Sequence, residues 1–187
     1  LKANGAHGKI FQYCSANTDA LAWLAAKVSG KDYAKLLQDE IWQPMGATFP
    51  ASITLDKEGL AVGNGGISCT ARDLALFGEL VLNGGEINSK QVLPKPWVLE
   101  TMKGAETGVQ MPAYLLAANP KLSYKNHWWL TGNHANEIYA VGIYGQYLWI
   151  DPNTKTVISK FSSLPIPIDP VHSKMHMALF RAISGAW

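Results

Sequence analysis

One polar stretch near the start of the chain carries the side chains best suited to chemistry. It reads Phe11-Gln12-Tyr13-Cys14-Ser15-Ala16-Asn17-Thr18-Asp19, which combines a phenol with hydroxyl and amide groups at the start of a helical pattern. A tyrosine can transfer a proton when its neighbours lower its pKa from about 10 or take the proton on in the same step. If the chain belongs to a catalyst, we expect the reacting atoms to lie beside Tyr13.

A second spacing of chemical interest lies near the end of the chain, at His172-x-x-x-His176. Two histidines one helical turn apart can bind the same metal ion, but a zinc site takes at least three protein ligands. No third ligand is evident, and the sequence lacks the glutamate of a His-Glu-x-x-His motif. We interpret the pair as part of an ordinary helix surface and expect no metal ion and no other cofactor.

The composition is that of a single globular domain. The chain has 187 residues, 48% of them apolar, which is enough to bury a sizeable core. A formal net charge of +2 and the lack of a dense Lys/Arg cluster argue against nucleic acid as a partner. No apolar run approaches the roughly 20 residues that a membrane helix needs, so we expect no membrane span.

The ends and the cysteines of the chain say little about its compartment. Leu1-Lys2-Ala3-Asn4 contains neither a methionine nor the start of a signal peptide, so we expect a fragment or a processed product. Cys14 and Cys69 follow no metal-ligand spacing, and we expect no disulfide framework. The compartment therefore stays open.

The first part of the chain has the pattern of helices joined by polar loops. Thr18 or Asp19 is the expected N-cap of a first helix, which ends at Ser29-Gly30. Asp32 is expected to cap a second helix, which Pro44 stops.

Two further helices are predicted from their ends. Thr70 and Asp73 have the spacing of a capping box, and Asn83-Gly84-Gly85 is typical of a helix C-terminus. The prolines around Lys95 predict a short helix over Lys95–Met102. The side chains expected to point inward from the first of these helices are Leu74, Phe77 and Val81.

The chain becomes bulky and apolar after about Tyr124, which predicts antiparallel strands. Side chains alternate in direction along a strand, so at most one of Trp128 and Trp129 can face a cleft. Asp151 begins a turn signal, and we do not expect it to act as an acid. The strand-like segments are Trp128-Trp129-Leu130, Ile138-Tyr139-Ala140-Val141, Tyr147-Leu148-Trp149-Ile150 and Thr156–Ser162. In a terminal helix, one stripe holds Val171, Met175, Leu179 and Ile183.

This order of elements predicts an α/β (α+β) domain, in which a helical region is followed by an antiparallel sheet and a C-terminal helix. We divide the domain into a mainly helical part, residues 1–120, and a part with the strands and the closing helix, residues 121–187.

Four groups of motifs follow one another along the chain in the order of a known family. They resemble the serine β-lactamases and penicillin-binding-protein-like hydrolases, and within them the class C-like branch close to 6-aminohexanoate-dimer hydrolases and related esterases. The resemblance implies a β-lactamase/transpeptidase-like fold. The motifs are Phe11-x-Tyr13-x-Ser15-x-Asn17-Thr18-Asp19-x-Leu21-x-Trp23, then Gly65-Gly66-Ile67-Ser68-Cys69-Thr70-Ala71-Arg72-Asp73-Leu74-Ala75, then Leu82-Asn83-Gly84-Gly85 with Gln91-Val92-Leu93-Pro94 and Trp97-Val98, and last Gly142-Ile143-Tyr144-Gly145-Gln146 with Ile150-Asp151-Pro152.

The resemblance implies roles for the polar stretch at the start of the chain. In the family, an acyl-enzyme forms on the serine of a Ser-x-x-Lys motif, and a Tyr-x-Asn or Tyr-x-Ser motif supplies a tyrosine. Tyr13 matches that tyrosine, which would help to remove the proton of the serine. Ser15, or Asn17 in its place, would hydrogen-bond the lysine or the amide group of the substrate.

The resemblance also implies a second wall of the site, formed by a Lys-Thr-Gly-type motif on a strand. Gly142 matches the glycine of that motif, and the backbone N–H of Ile143 would be half of an oxyanion hole. Tyr144 and Gln146 are candidates for lining the substrate cleft. Ala140 stands where the family often has Lys or His, which argues against a β-lactam carboxylate as the natural ligand.

One element of the family pattern is missing from these 187 residues: no serine is followed by a lysine three positions later. The resemblance therefore implies a C-terminal portion whose partner is the N-terminal portion of the same protein, carrying Ser-x-x-Lys. We predict a serine hydrolase that cleaves an amide or ester bond of a small molecule, inactive as this chain alone. The alternatives are a non-catalytic peptidoglycan- or ligand-binding relative, or a structural fragment that folds only with an N-terminal partner chain.

Such a portion would also lack the early strands of the family's sheet. An incomplete sheet leaves an unpaired strand edge and an uncovered apolar face. We therefore expect the isolated chain to aggregate or to occur with a partner segment.

Overall fold

The computed structural model describes residues 5–106, 108–133 and 136–185, and it confirms the predicted order of helices, antiparallel sheet and closing helix. None of the helices in these ranges has both the length and the apolar character needed to cross a membrane. The α-helices in these ranges are α1 (Ser15–Ser29), α2 (Tyr33–Leu37), α3 (Ala71–Leu82), α4 (Lys95–Met102), α5 (Ala113–Ala118) and α6 (Pro170–Ser184).

The main sheet has five antiparallel strands, and each strand pairs with the next one along the chain. Trp129 lies opposite Tyr139, and Tyr139 lies opposite Trp149, so the central strands share one register. The strands are β5 (Ser123–Lys125), β6 (Trp128–Leu130), β7 (Ile138–Gly142), β8 (Gln146–Asp151) and β9 (Thr156–Lys160). Two small antiparallel pairs precede them: β1 (Ser52–Ile53) with β2 (Ile67–Ser68), and β3 (Glu86–Ile87) with β4 (Lys90–Gln91).

The N-terminus of α1 differs from the prediction. Cys14 occupies the N-cap position, so the expected N-caps Thr18 and Asp19 both lie inside the helix. The physical reason lies in a tertiary contact: one carboxylate oxygen of Asp19 accepts hydrogen bonds from the backbone N–H groups of Gly63 and Asn64, both at 3.0 Å. This aspartate therefore ties a distant loop to α1 and does not cap the helix.

The second helix begins where it was predicted to begin. Asp32 is its N-cap residue, although the side chain of Asp32 makes no capping hydrogen bond. After Leu37 the chain continues through a π-helical segment, Gln38–Trp42, which ends ahead of Pro44. Because proline lacks a backbone N–H, Pro44 cannot donate the next hydrogen bond of the helix, and the helix ends before it, as the sequence predicted.

The N-terminus of α3 confirms the predicted capping residue Thr70, whose hydroxyl accepts from the backbone N–H of Asp73 at 3.1 Å. The carboxylate of Asp73 instead holds the preceding loop, because it accepts from the backbone N–H of Thr48 at 2.8 Å and of Phe49 at 3.2 Å. Hydrogen bonds from Thr48 and Thr70 lower the pKa of Asp73, whose side chain is fully buried. A buried carboxylate with several donors stabilises the fold only while it is ionised.

We expect Asp73→Asn to lower the melting temperature by about 5 °C at pH 7, because the amide cannot accept from all of these donors. A carboxyl group with a lowered folded-state pKa contributes stability above its unfolded pKa, and that stability is lost as the pH falls through the folded-state value. The difference between variant and parent should therefore shrink below about pH 4. Asp56→Asn is the matched control, since Asp56 accepts from two backbone N–H groups in an exposed loop. Equal losses in the two variants would contradict the role of Asp73.

One face of the sheet is covered by α3 and α4. The predicted inward residue Val81 is buried there, and Leu74 and Phe77 pack against the same cluster. Gly78 sets how closely α3 approaches the sheet, because a Cβ at that position would lie 2.5 Å from a methyl of Val157. The buried members of this core are Val81, Val98, Trp128, Leu130, Ile138, Leu148 and Ile150.

The opposite face is covered by α6, through Phe180 packed on Tyr147 and Trp149. The rotation of α6 is fixed by Arg181, whose guanidinium donates to both carboxylate oxygens of the buried Glu137, at 2.9 and 2.8 Å. The apolar stripe that the sequence singled out consequently points away from the sheet. Its four residues are all exposed: Val171, Met175, Leu179 and Ile183.

Candidate active site

Tyr13 lies on the surface, immediately before the N-cap residue of α1, and 57% of it is exposed. Its ring is parallel to that of Trp129, with an interplanar angle of 8° and a centroid distance of 6.3 Å. It also meets the ring of Tyr124 edge-on at 5.9 Å. These contacts place the phenol over β5 and β6, with its hydroxyl near solvent and not in a packed core.

Tyr13 belongs to an aromatic cluster, whose other members are Phe11, Tyr124 and Trp129. The rings of Phe11 and Tyr124 are 5.0 Å apart, and those of Tyr124 and Trp129 are 4.7 Å apart. The prediction that only one of the paired tryptophans can face a cleft is confirmed, because Trp128 is buried in the α3 core while Trp129 joins this cluster. Rings of this size offer apolar area on which a small molecule can lie.

The two phenols of the aromatic cluster have different environments. Burial raises the pKa of Tyr124 to about 12, and the neighbouring Tyr13 adds to the shift. Tyr124 therefore keeps its proton at any physiological pH. Of the pair, Tyr13 is the more exposed phenol.

The first turn of α1 presents the other predicted polar groups of this wall. Ser15 is the first residue of α1, and the backbone N–H of Asn17 donates to the carbonyl of Cys14 at 3.1 Å. Both side chains are exposed. One helical turn further on, Asp19 holds the loop at Gly63-Asn64, so this loop lies beside the same end of α1.

The second predicted wall is a tight turn between β7 and β8. Gly142 is the last residue of β7, and Ile143–Gly145 form a tight turn that is not regular helix, because Tyr144 has φ of 61°. Ile143 is 59% exposed and Tyr144 is also exposed. Gln146 begins β8, and its side chain folds back on the turn, where its amide donates to the carbonyl of Ile143 at 3.3 Å.

The sheet brings the two walls into one neighbourhood. Tyr13 stacks on Trp129 of β6, and Trp129 lies opposite Tyr139 of β7, three residues before Gly142. Three residues along a strand span about 10 Å. The phenol of Tyr13 therefore lies against β6, and the Ile143 turn follows the neighbouring strand β7.

The histidines at the start of α6 do not converge on a common ligand. His172 is paired through Nδ1 with the N-cap residue Asp169 at 2.6 Å, and the ring of His176 packs edge-on against Tyr147 at 5.2 Å. Among residues 5–106, 108–133 and 136–185, no group of three or more His, Cys, Asp or Glu side chains could hold a metal ion.

The fold combines a helical region with an antiparallel sheet. On it lie two candidate walls of a site, one at Tyr13 and one at the turn after Gly142. The Beta-lactamase family matches residues 1–176, and the chain belongs to this family. The resemblance of the sequence motifs to that family is thereby confirmed.

Two relatives resemble the chain closely in sequence or structure. The 6-aminohexanoate-dimer hydrolase of Paenarthrobacter ureafaciens is 42% identical over 167 residues, which are 89% of this chain and 42% of that protein. The solved structure of a Bacillus anthracis protein, whose name places it among the 6-aminohexanoate-dimer hydrolases, matches with a TM-score of 0.84 at 31% identity. The match covers 98% of this chain and 46% of that one. The chain therefore spans less than half the length of either relative.

More distant structures share the fold. A β-lactamase from Mycobacterium bovis has a TM-score of 0.69 at 18% identity, with 99% of this chain and 66% of that chain covered. Simvastatin synthase from Aspergillus terreus has the same TM-score at 15% identity, with 92% and 53% covered. At these identities the likeness concerns the fold alone.

The sequence did not assign several residues that the structure places near the two walls. The neighbours of Tyr13 came from separate parts of the chain, and the only signal was the high number of aromatic residues. The run of glycines at Gly63, Gly65 and Gly66 was a signal for a loop that approaches another element closely. The segment that holds the Ile143 turn, around Lys160 and Ser162, gave no signal.

Proposed function

We propose that this chain is the C-terminal portion of a serine hydrolase, which cleaves an amide or ester bond of a small molecule through an acyl-serine intermediate. The observation that supports this most directly is the exposed phenol of Tyr13, which stacks on Trp129 of β6 beside the strand β7 that ends in Gly142. Membership of the Beta-lactamase family supports the same reaction class.

In the proposed reaction, a serine oxygen attacks the substrate carbonyl carbon while Tyr13 takes the serine proton and passes its own phenolic proton to the lysine of Ser-x-x-Lys, which later returns it. The N–H of Ile143 donates to the oxyanion that forms. The bond to the leaving nitrogen or oxygen then breaks, and the leaving group takes the proton back from Tyr13. Water attacks the acyl-serine by the same route and releases the acid. Ser15, or Asn17, orients the lysine or the substrate amide, and Tyr144 and Gln146 lie along the cleft.

The lysine next to the aromatic cluster, Lys125, does not suit the role of a base that activates the serine. Lys125 follows Tyr124 on β5, and its ammonium lies 2.9 Å from a carboxylate oxygen of both Glu100 and Glu106. Hydrogen bonds to these two carboxylates raise the pKa of Lys125. We therefore assign the lysine that activates the serine, together with the serine itself, to an N-terminal portion that carries Ser-x-x-Lys.

Exposed apolar surface supports an N-terminal portion as the partner of this chain. The outer stripe of α6 is exposed, and β9 is an edge strand of the five-stranded sheet. Such surfaces mark an interaction site or a tendency to aggregate. Several large apolar residues of α1 are exposed as well: Leu21, Trp23, Leu24 and Val28.

The substrate class follows from the two walls. The aromatic cluster offers an apolar surface of rings, and Ala140 supplies no cation for a β-lactam carboxylate. A short linear amide or a simple ester fits this cleft better than penicillin. The name of the Paenarthrobacter ureafaciens relative makes a 6-aminohexanoate dimer the first amide to test.

The proposal is tested by locating the nucleophile. The complete protein, meaning this chain together with the N-terminal portion, is treated with a fluorophosphonate, which bonds to an activated serine as fluoride leaves. We expect the label on the serine of Ser-x-x-Lys, hydrolysis of a nitrophenyl ester by the complete protein, and neither result with the isolated 187 residues. Heat-denatured complete protein is the control for unspecific labelling.

Two other results of this experiment would contradict the proposal. A label within the 187 residues, or ester hydrolysis by these residues alone, would contradict a nucleophile supplied from outside. A folded complete protein without label and without hydrolysis would indicate the non-catalytic ligand-binding relative.

A further inference from the structure

The turn that carries the Ile143 amide has an unfavourable backbone conformation. Tyr144 has φ of 61° and Gly145 has φ of 83°, so two consecutive residues lie in the left-handed region. Glycine adopts this region readily, but a bulky residue such as tyrosine does so only when its surroundings hold it there. The segment after β9 provides those surroundings.

Two side chains near the end of β9 bind the carbonyl groups of this turn. The ammonium of Lys160 donates to the carbonyl of Gly145 at 3.0 Å and to the hydroxyl of Ser162 at 2.8 Å. The Ser162 hydroxyl lies 2.9 Å from the carbonyl oxygens of both Tyr144 and Gly145. The backbone of the turn is also held, because the N–H of Tyr144 donates to the carbonyl of Pro167 at 2.9 Å.

Gln146 links the same segment to the turn from the other side. Its amide NH2 donates to the carbonyls of Ile143 and Ser162, and its amide oxygen accepts from the backbone N–H of Ser162 at 3.0 Å. Side chains therefore hold the carbonyls of three consecutive residues, Ile143, Tyr144 and Gly145. The peptide planes that follow the Ile143 N–H are thus fixed.

Lys160 has no carboxylate within ion-pair distance in the part of the chain that the structure describes, so its charge is directed at the turn. Burial lowers its pKa, and its charge in turn helps to lower the pKa of His176. A partly buried ammonium costs desolvation energy, which its hydrogen bonds to the turn offset. An exposed lysine would avoid this desolvation cost, so the position of Lys160 indicates that its hydrogen bonds to the turn matter for the structure.

The contact between Lys160 and Ser162 has the distance of a serine–lysine nucleophile pair, but its surroundings do not suit that role. A nucleophilic oxygen needs open space for a substrate carbonyl carbon. The Ser162 oxygen instead lies against two backbone carbonyl oxygens, and a Cβ placed on Gly145 would come within 2.5 Å of it. The Ser162 hydroxyl accepts a hydrogen bond from the Lys160 ammonium and donates one to a carbonyl of the turn, so it links the ammonium to the turn.

We propose that Lys160 and Ser162 are positioning residues, which hold the turn between β7 and β8 so that the N–H of Ile143 keeps the direction needed to donate to an oxyanion. This inference rests on the proposed function and adds two residues that do not touch the substrate. Gln146 acts with them as the third part of the same support.

The test compares Lys160→Met and Ser162→Ala with Lys174→Met and Ser163→Ala, which make the same changes at exposed neighbouring positions. In the complete protein, we expect kcat to fall about 10-fold in the first two variants while KM changes less than about twofold, because a misdirected donor weakens transition-state binding. Lys160→Arg keeps donors at this place and should restore most of kcat. Amide hydrogen exchange at residues 143–145, measured without substrate, should become faster in Lys160→Met.

An unchanged kcat and unchanged exchange in Lys160→Met, relative to Lys174→Met, would overturn the inference. A fall in kcat that Lys160→Arg does not restore, with exchange at the turn unchanged, would also overturn it. The fluorophosphonate experiment tests the proposed function separately. If that experiment fails while exchange at the turn responds, the support of the turn stands and its link to an oxyanion is wrong.

Discussion

Replacing Tyr13 by phenylalanine is expected to lower kcat/KM of the complete protein by about 10³-fold, within the range typical of general acid–base groups. The change removes one oxygen and leaves the ring, so stacking on Trp129 and the contact with Tyr124 should persist. In the proposed reaction Tyr13 carries the proton in both acylation and deacylation, so both steps should slow. Steady-state kinetics with a nitrophenyl ester and a linear amide measure the effect.

Tyr124→Phe is the matched control, because it removes the neighbouring phenol of the same aromatic cluster. Burial raises the pKa of Tyr124 to about 12, so its proton is not available for transfer, and we expect this variant to keep activity within a few-fold. Equal losses in Tyr13→Phe and Tyr124→Phe would indicate that the cluster only shapes the cleft. A Tyr13→Phe enzyme with full activity would contradict the proposed proton transfer.

The sequence predicted those parts of the fold that depend on local signals. The helix from Lys95 to Met102 and the cap at Thr70 are confirmed, because proline and threonine act on the nearest turn of backbone. The strand from Tyr147 to Ile150 and the turn at Asp151 are confirmed for the same reason, since the Asp151 carboxylate accepts from the N–H of Asn153 at 2.9 Å.

The features that the sequence did not predict correctly, or did not predict at all, involve partners far away in the chain. Asp19 was predicted as an N-cap, but its hydrogen bonds to Gly63 and Asn64, 44 and 45 residues away, decide its position. The sequence placed four apolar residues on one stripe of α6 without predicting its direction, and the ion pair of Arg181 with Glu137 turns that stripe outward. A helix with apolar residues on two sides does not reveal from its own sequence which side faces the sheet.

In the candidate site, too, the features with a local sequence signal were proposed from the sequence and those that depend on distant partners were not. Tyr13 and the Gly142–Gln146 turn were proposed from motifs, because the motifs along the chain match those of a known family in the same order. Their surroundings were not found, because Trp129, Lys160 and Ser162 reach the site only through strand register and packing. A motif indicates candidates for the reacting groups, whereas the groups that hold these candidates in place depend on the completed fold.

Ile143→Pro is expected to lower kcat by about 10²–10³-fold with little change in KM, the loss typical of removing one oxyanion donor. Proline deletes the backbone N–H that the proposed reaction uses, and it also replaces the side chain. The preceding residue suits the change, because Gly142 is extended, with φ of −103° and ψ of 161°, and a residue that precedes proline prefers that region.

Ile143→Ala separates the N–H from the side chain. Because the Ile143 side chain is largely exposed, its truncation should leave the melting temperature and kcat close to those of the parent. A loss of kcat in Ile143→Pro but not in Ile143→Ala, at equal melting temperatures, assigns the effect to the backbone donor. Equal activity of the proline variant and the parent would show that the oxyanion receives its hydrogen bonds elsewhere, and the turn between β7 and β8 would then be a wall of the cleft and not part of the reaction.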